Sequence, residues 1–525
     1  MEMTADERAG RAFQVYAMAF HLIMMILLIL SARMRTDGVF LYTLDDPYIH
    51  LALAESILQG GYGINAGEYA SPSSSILYPF LLALGLLAGG GDWTPLLLAA
   101  PFSLAATWMI AGFAAAALAG RMSRPVALLM GPAIGFATNA FALPLTGMEH
   151  SIHVFATVLA LTGLWRLAGQ PQRRGALVAV AVGTLLCATI RFEGLALALA
   201  CLAALAALGF RRAAAGLGAV ILLLLGAYAG MMLSLGLPVF PSSVMTKSDI
   251  AAQAGDGNAA GLITGLVRNA WAALDARWGI LLALGGLFLT AAAMAEGPEG
   301  RGRRVVLLTV AFALIAHVAA GDYGWFGRYE VYAVAALLIG LFAVAGAWFR
   351  APAVPMALPI LLLLIGSPYL STTALTPAAS ANIHQQQFQM RRFAQEVFPQ
   401  PVAVNDLGLV AYGNGNYVLD LWGLGSEEAR RLSANNQWTA ERLQEITARR
   451  GVSYAMLYPL WFRDVPEVWC PIADLETSHV TSAFGTVRFY LIRRDMEAEM
   501  RAGLDVLRAG LPEGARLTLR DCAAG

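Results

Sequence analysis

The sequence is poor in charged residues and almost without lysine. Only 13% of its 525 residues are charged, whereas 58% are hydrophobic. Lys247 is the only lysine, the other basic residues are arginines, and the formal net charge is zero. No basic run is present, so nothing in the sequence indicates a nucleic-acid partner. This composition excludes an ordinary soluble protein and predicts a chain that crosses the lipid bilayer many times.

Cysteine is scarce as well, with four in the chain. Cys187 and Cys201 lie in apolar segments, where we expect them to pack as small hydrophobic side chains. Cys470 and Cys522 lie in the polar C-terminal part and are a disulfide candidate if that part is outside the cytoplasm. No cysteine pair has the spacing of a zinc site.

About twelve hydrophobic segments precede a polar C-terminal region. The first, 13–32, has the roughly 20 residues that a spanning helix needs. No small-residue cleavage pattern ends it, so we interpret it as a retained helix rather than a signal peptide. The remaining segments lie near 76–88, 96–119, 126–143, 152–167, 176–190, 195–208, 213–235, 278–293, 305–319, 329–348 and 354–365.

From about residue 372 the composition becomes that of a soluble α/β domain. The predicted strands are 402–404, 417–419, 454–457 and 487–492, and the predicted helices are 384–397, 427–433, 440–449 and 495–509. Asn414-Gly415 is a tight-turn signal between the first two strands. The predicted fold is a mainly α, polytopic membrane protein of about 11–13 hydrophobic helices (1–371) with a C-terminal soluble α/β domain (372–525).

Arginine is distributed unequally between the loops. The arginine-rich loops contain Arg121, Arg124, Arg166, Arg173, Arg174, Arg211, Arg212, Arg301, Arg303, Arg304 and Arg350. The positive-inside rule places this set in the cytoplasm. We therefore expect the loops 146–150, 191–194, 238–269 and 321–328, and the C-terminal domain, to be exoplasmic. The first loop, 33–75, joins them only if the stretch 76–119 crosses an odd number of times, which a short helix that does not span would allow.

The first loop places two adjacent carboxylates, Asp45 and Asp46, a few residues beyond a membrane span. Carboxylates so close to hydrocarbon are costly, and this favours a function for them. The ordinary alternative is that one of them caps the helix that begins at Pro47. His50, one turn further along the helix, and Glu68 are further titratable residues of this stretch.

The other loops on the same face contribute further charged and polar residues, namely Glu149, His150, Arg191, Glu193, Lys247 and Arg328. Each has an ordinary alternative: packing for the histidines, a helix-dipole carboxylate for Glu149, and an internal ion pair between Arg191 and Glu193. Together, however, carboxylates and cations on one membrane face suit group transfer from an anionic, membrane-held donor. The cations would neutralise a phosphate, and a carboxylate would accept the proton of an attacking hydroxyl.

The run LDDPYIHLALAESILQGGYGINAGEYASPSSSILYP, 44–79, resembles the first exoplasmic loop of GT-C glycosyltransferases that use polyprenyl-phosphate sugars. The likeness is strongest to the arabinofuranosyltransferase-like branch of bacterial envelope enzymes. Further likenesses are Gly147-Met148-Glu149, 191–194, 241–247, Gly327-Arg328-Tyr329 and 404–424. The chain departs from the family pattern at Ala66, where a proline is usual, and at His150, where a small or hydroxyl residue is usual.

The resemblance implies an inverting membrane glycosyltransferase of a bacterial inner membrane. It would move one sugar from a polyprenyl-phosphate donor to an exoplasmic glycan, lipid or protein acceptor. Asp45 or Asp46 would be the general base, with Glu149 and Glu68 as further acidic groups. From the residues themselves, we expect Lys247 and Arg328, with Arg191 in support, to bind the donor phosphate, and His50, His150 and Glu193 to be supporting residues. A divalent metal, Mg²⁺ or Mn²⁺, held by Asp45 and Glu149, is left open.

Two other functions are consistent with the same residues. One is a transporter or flippase of lipid-linked glycans, which would place ionisable residues at the bilayer midplane and have two related halves. The other is a ligase or polymerase that uses diphosphate-linked oligosaccharides. In the C-terminal domain, Asn405, Asp406 and Asp420 follow predicted strands, and we interpret them as structural residues at strand ends.

Overall fold

The structure is a computed structural model that describes residues 4–172, 174–247, 259–347, 353–434 and 437–522. Most of the chain forms a bundle of helices, and the C-terminal part folds around a sheet. The helices of the bundle are α1 (Ala5–Met34), α2 (Asp46–Leu58), α3 (Tyr78–Leu87), α4 (Thr94–Ala117), α5 (Arg124–Ala137), α6 (His150–Gly169), α7 (Arg174–Ile190), α8 (Gly194–Ala207), α9 (Arg211–Ser234), α10 (Ser242–Lys247), α11 (Ala259–Ala273), α12 (Arg277–Ala295), α13 (Arg301–Ala320), α14 (Val331–Ala347), α15 (Ala353–Ile365), α16 (Ser367–Gln385) and α17 (Gln387–Arg392).

The apolar helices identify a multi-pass membrane protein. Six helices of the described residues are long and apolar enough to cross a membrane: α1, α4, α6, α9, α12 and α13. A bent pair, Ala353–Ile365 with Ser367–Val397, adds one further candidate span. Shorter apolar helices are α3, α5, α7, α8 and α14. Each hydrophobic segment predicted from the sequence corresponds to one of these helices, which confirms the predicted mainly α fold.

Contacts between loops sort them to two ends of the bundle. The arginine-poor loops are joined at one end by hydrogen bonds from Thr43 N to Leu145 O (3.0 Å), from Leu77 N to Thr189 O (3.1 Å) and from Asn139 Nδ2 to Gly327 O (3.0 Å). The arginine-rich loops are joined at the other end by bonds from Arg121 Nη2 to Ala345 O (3.4 Å) and from Arg301 Nη2 to Ala207 O (3.1 Å). The loops found together at each end of the bundle are therefore the same loops that the arginine distribution places together on one side of the membrane.

The short helix α3 does not cross the bundle. Its ten residues extend about 15 Å, roughly half the thickness of the hydrocarbon layer. Its start follows the first loop and contacts the loop 146–150, because Tyr78 Oη donates to Gly147 O at 2.7 Å. The chain just beyond its end returns to the first loop, because Tyr42 Oη donates to Asp92 O at 2.8 Å. The stretch 76–119 thus contains one long crossing helix, α4, and the first loop lies at the same end as Gly147.

The C-terminal domain contains a mixed sheet. Within the described residues its six strands, in spatial order β2-β1-β3-β5-β4-β6, are β1 (Val402–Val404), β2 (Val418–Asp420), β3 (Tyr454–Leu457), β4 (Cys470–Glu476), β5 (Thr486–Leu491) and β6 (Arg516–Leu519). The first three strands are parallel and the other pairings are antiparallel. Its helices are α18 (Gly408–Ala411), α19 (Glu427–Ala434), α20 (Ala440–Arg449) and α21 (Glu497–Ala509). A disulfide joins Cys470 to Cys522.

Two details of this domain differ from the sequence prediction. The Asn414-Gly415 signal does not form a hairpin, because β1 and β2 are parallel and the chain must cross over between them, which it does through α18. The strands β4 and β6 were not predicted. A proline, Pro471, interrupts the alternating pattern of β4 next to an irregularity in its pairing, and β6 is a short strand at the sheet edge.

Candidate active site

A cavity of about 290 Å³ lies at the end of the bundle that carries the first loop. Its polar lining is Asp46, Ser74, Arg191, Glu193, Ser243, His317, Asp322, Arg328, Tyr329 and Tyr332. Much of the remaining wall is apolar and includes Met148, Phe192, Leu195, Phe240, Val244 and Ala316. A few converging polar groups in a mostly apolar cavity are typical of a small-molecule site.

Of the two arginines that line this cavity, Arg328 has more N–H groups without a hydrogen-bond partner in the described part of the chain. It is 1% exposed, and its Nη2 donates to Tyr329 Oη at 3.1 Å and lies 3.3 Å from Asp46 Oδ1. Its Nε and Nη1 have no hydrogen-bond partner among the described residues. Burial disfavours the charged form, but the charge of Asp46 outweighs it, so the pKa of Arg328 is raised and the side chain stays a cation. A buried cation with unpaired donors is costly unless an anion binds it.

Arg191, in contrast, is bound by two carboxylates. Its Nη1 donates to Glu149 Oε1 at 2.8 Å, and its Nε donates to Glu193 Oε2 at 3.0 Å. Burial alone would raise the pKa of both carboxyls, but the charge of Arg191 outweighs it, lowering the pKa of Glu193 to about 2 and that of Glu149 below its usual value. The internal Arg191–Glu193 ion pair that the sequence left open is present, and it extends to Glu149. Arg191 has no positive charge to spare for a phosphate.

Gly147 allows the Glu149 segment to approach the first loop closely. Its φ of 65° lies in the left-handed region, and a Cβ there would lie 2.7 Å from the Tyr42 ring and 2.8 Å from Pro47. Only glycine adopts this conformation without strain and fits the space. Glu149, which is fully buried, is thereby placed within reach of Ser74 Oγ at 3.3 Å.

Asp45 is bound by the C-terminal domain. Its two carboxylate oxygens accept from the N–H groups of Gly408 at 2.7 Å and Leu409 at 2.8 Å, at the start of α18. It makes no side-chain capping bond to α2. Asp45 therefore caps a helix, but in the other domain and not at Pro47. A Cβ at Gly408 would lie 2.1 Å from Asp45 O, so this contact requires glycine.

Asp406 lies beside Asp45 at this junction. It accepts from Gln387 Nε2 at 2.8 Å and from Tyr458 Oη. Burial first, and the charge of Asp406 second, raise the pKa of Asp45, and burial also raises the pKa of Asp406. Two neighbouring buried carboxyls disfavour each other's ionisation. We therefore expect the junction between the first loop and the C-terminal domain to respond to pH.

The loop that carries Arg328 has an unusual backbone. Four consecutive residues, 324–327, have φ between 48° and 81°. Two of them, Trp325 and Phe326, are bulky residues for which this region is rarely populated. Asn139 Nδ2 donates to the carbonyls of both Phe326 (3.3 Å) and Gly327 (3.0 Å), and Glu330 Oε2 accepts from Gly324 N at 2.9 Å. These contacts fix the loop that places Arg328 in the cavity.

The chain is similar to ArnT. In the crystal structure of ArnT from Cupriavidus metallidurans in the apo state, the match covers 90% of this chain and 98% of that chain at 15% identity, with a TM-score of 0.45. A cryo-EM structure of a mutant of the arabinofuranosyltransferase AftD from Mycobacteria matches 90% of this chain and 41% of that chain at 13% identity, with a TM-score of 0.38. Residues 381–491 match a domain of unknown function, DUF8728. No curated protein matches the sequence.

The predicted histidines are buried at the same end of the bundle. Nδ1 of His50 lies 3.2 Å from Ser73 Oγ. The ring of His150 is 5.8 Å from that of Tyr329, centroid to centroid, and neither of its nitrogens has a hydrogen-bond partner among the described residues. His150 lies beside the cavity that contains Arg328, because Tyr329 lines that cavity and contacts both side chains.

Two predicted site residues are not brought to the cavity by any described contact. Glu68 accepts from Tyr417 Oη at 2.9 Å and pairs with Arg450, so it lies against the C-terminal domain rather than beside Glu149. Lys247 is the last residue of α10, and its side chain lies outside the described residues. Its role at the donor phosphate stays a prediction.

Asp45 and Glu149, the two residues suggested for a divalent metal, are engaged separately. Asp45 binds α18 and Glu149 binds Arg191. Among the described residues, no three His, Cys, Asp or Glu side chains are grouped as metal ligands would be. The arrangement does not fit an ion shared by Asp45 and Glu149.

Asp406 and Trp325 are two residues of this region to which the sequence assigns no place in the site. The sequence predicts a strand-end role for Asp406, and Asp420 does have such a role, since it accepts from Trp422 N at 2.8 Å and Gly425 N at 2.7 Å. No sequence pattern links Asp406 to Asp45, because the two belong to different domains. For Trp325, the only signal was an aromatic residue between two glycines.

Proposed function

We propose that the protein is a membrane glycosyltransferase that moves one sugar from a polyprenyl-monophosphate donor to a hydroxyl of an envelope acceptor. The observation that carries this proposal is the pairing of Arg328 with Asp46 in the cavity. Arg328 offers buried, unpaired N–H donors to an anion, and phosphate oxygens are strong acceptors for a guanidinium. The resemblance of the first loop to that of polyprenyl-phosphate-dependent GT-C enzymes supports the same assignment.

In this proposal Asp46 is the general base, because it lines the cavity and Asp45 is engaged by α18. The acceptor oxygen attacks the anomeric carbon, and Asp46 accepts the hydroxyl proton. The bond from the anomeric carbon to the phosphate oxygen breaks, and its electron pair leaves with the polyprenyl phosphate. One displacement inverts the anomeric centre. Arg328 balances the charge on the leaving phosphate.

The donor and the base would be coupled through Arg328. A donor phosphate that binds Arg328 would share the guanidinium with Asp46 and weaken the ion pair of 3.3 Å. The carboxylate of Asp46 would then be released to accept a proton only when the donor is present. Arg191 would hold Glu149 and Glu193 in place, and Asp45 would position Asp46 through the adjacent backbone.

The protein would lie in a bacterial inner membrane. The end of the bundle with the arginine-rich loops would face the cytoplasm, and the cavity and the C-terminal domain would be exoplasmic. The Cys470–Cys522 disulfide supports this orientation, because disulfides persist in oxidising compartments. The donor's isoprenoid chain would remain in the bilayer and its phosphate would reach Arg328 at the membrane surface.

The test is a transfer assay with purified protein in lipid nanodiscs. A panel of polyprenyl-monophosphate sugars is supplied with envelope glycans, and released polyprenyl monophosphate is measured by mass spectrometry. Asp46→Asn should lower the turnover by about 10²–10⁴-fold, the usual contribution of a general base, while binding of polyprenyl monophosphate is retained. Asp45→Asn should lower it less.

Three results would contradict the proposal. They are release from diphosphate-linked donors only, passage of labelled lipid-linked sugar across vesicles without transfer, and near-wild-type turnover of Asp46→Asn. The first would indicate a ligase or polymerase, and the second a transporter.

A further inference from the structure

A second cavity, of about 390 Å³, lies between the helical bundle and the C-terminal domain. The bundle contributes Leu44, Trp325 and Phe326 to its wall. The C-terminal domain contributes Trp461 and the segment 479–484, which connects β4 to β5. The proposed mechanism assigns no role to this cavity.

The two cavities are neighbours because the same two loops line both. Leu44 lines the second cavity, and Asp46, two residues later, lines the first. Phe326 lines the second cavity, and Arg328, again two residues later, lines the first. The Asp46–Arg328 pair therefore lies close to both cavities. A molecule in the second cavity would be near the proposed base.

The wall of the second cavity presents rigid aromatic surfaces. Trp461 stacks on Trp422 with ring centroids 4.1 Å apart and an angle of 20° between the planes, and Tyr458 and Phe484 contact its edges at 5.2 Å and 5.8 Å. Trp461 is thus a fixed indole face that can bind a ligand at little cost in conformational entropy. Trp325, on the opposite wall, is 51% exposed and offers a second indole face.

Two residues of the same wall, Thr481 and Ser482, have buried hydroxyl groups without partners among the described residues. Ser482 is 5% exposed, and neither its Oγ nor Oγ1 of Thr481 has a hydrogen-bond partner among the described residues. Their segment is fixed by Asn382, whose Oδ1 accepts from the N–H groups of both residues at 2.9 Å. Buried hydroxyls are normally paired, so unpaired ones lining a cavity favour a ligand that can bond to them.

We propose that the second cavity is the acceptor subsite and that the acceptor group it binds is a carbohydrate. This inference rests on the proposed function and adds the acceptor class to it. A sugar ring has an apolar face of C–H groups that suits Trp461 and Trp325, and an edge of hydroxyls that suits Ser482 and Thr481. A lipid chain would leave those two hydroxyls unpaired. The ring's reacting hydroxyl would point past Leu44 to Asp46.

The test uses the full-length protein in detergent micelles, without a donor, on an array of neutral and acidic oligosaccharides. The wild-type protein should bind a subset of them. Trp461→Ala and Trp325→Ala should each weaken binding of that subset at least tenfold, whereas Trp461→Phe should weaken it less. Trp271→Ala is the matched control, because Trp271 is 74% exposed on α11 and lines neither cavity.

The test does not depend on a single variant. Because Trp461 packs in the C-terminal domain, Trp461→Ala can unfold, and thermal unfolding is therefore measured for each variant. If Trp461→Ala is unfolded, the binding measurement on Trp325→Ala alone decides, because Trp325 is exposed. Absence of glycan binding by the wild-type protein, or unchanged binding in Trp325→Ala, would overturn the acceptor subsite. Since the array contains no donor, this failure leaves the transfer assay unaffected. Conversely, failed transfer with intact, tryptophan-dependent glycan binding would refute the transferase function and with it the acceptor role, and would leave the cavity as a carbohydrate-binding site.

Discussion

The sharpest consequence of the cavity geometry concerns the affinity for a lipid phosphate. Arg328 is the buried cation with donors to spare, whereas Arg191 is neutralised by two carboxylates. A charge-assisted hydrogen bond contributes about 1.5–3 kcal/mol, which is roughly 10–150-fold in affinity. If one unpaired nitrogen of Arg328 bonds to the phosphate, Arg328→Ala should weaken binding by that factor. If both do, the loss should reach about 10⁴-fold.

The measurement does not require the identity of the sugar. A short-chain polyprenyl monophosphate, the product of any such donor, is titrated against the protein in nanodiscs by calorimetry, with the uncharged polyprenol as reference. Arg328→Ala should weaken binding of the phosphate but not of the alcohol. Arg328→Lys keeps the charge beside Asp46 but loses the planar fork, so its loss should be smaller.

A matched control separates this effect from a general loss of positive charge. Arg277 belongs to the arginine-poor face and donates to Leu364 O at 2.8 Å, and it lines neither cavity. Arg277→Ala should leave the phosphate affinity within about twofold of the wild type. Equal phosphate affinity for wild type and Arg328→Ala would refute the assignment. So would an equal loss in both alanine variants.

Two further predictions concern the junction of the first loop with the C-terminal domain. Asp45→Ala should cost about 1–2 kcal/mol locally, as the loss of a helix cap does, and speed amide exchange at Gly408 and Leu409 about tenfold. Asp45→Asn keeps only one of the two accepting oxygens, so it should speed exchange mainly at one of the two residues. Equal exchange in wild type and Asp45→Ala would contradict the capping role. The pKa of Asp45 is raised in the folded protein, so above about pH 4 the folded state binds more protons than the unfolded state. The free energy of unfolding therefore falls as the pH rises toward the raised pKa. In Asp406→Asn the melting temperature should fall less between pH 5 and 8 than in the wild type. An equal fall in both proteins would show that the two carboxyls are not coupled.

The helices and their grouping could be predicted because they depend on local patterns. Apolar runs and alternating arginine-rich loops identify helices and their ends without any knowledge of packing. The same reasoning found that 76–119 must contain an odd number of crossings, and the ten residues of α3 explain how. The pairing of Cys470 with Cys522 was also accessible, because no other cysteine lies in the C-terminal part.

The partners of the site residues could not be predicted in the same way. Asp45 and Asp46 are adjacent in sequence, yet one binds α18 and the other faces Arg328. Which of two neighbouring carboxylates turns to which partner depends on tertiary packing. The aromatic wall around Trp461 was missed for a similar reason, because its members come from both domains and share no sequence pattern.

The capping of α18 by Asp45 also bears on the order in which the protein is completed during biosynthesis. The two bonded residues, Asp45 and Gly408, are 363 positions apart. At about 5–20 residues per second, the ribosome makes the second roughly 20–70 s after the first. During that time the membrane helices can insert while Asp45 has no α18 to cap. A nascent chain that stops before Gly408 would therefore contain every candidate span of the described residues but lack the helix that Asp45 caps.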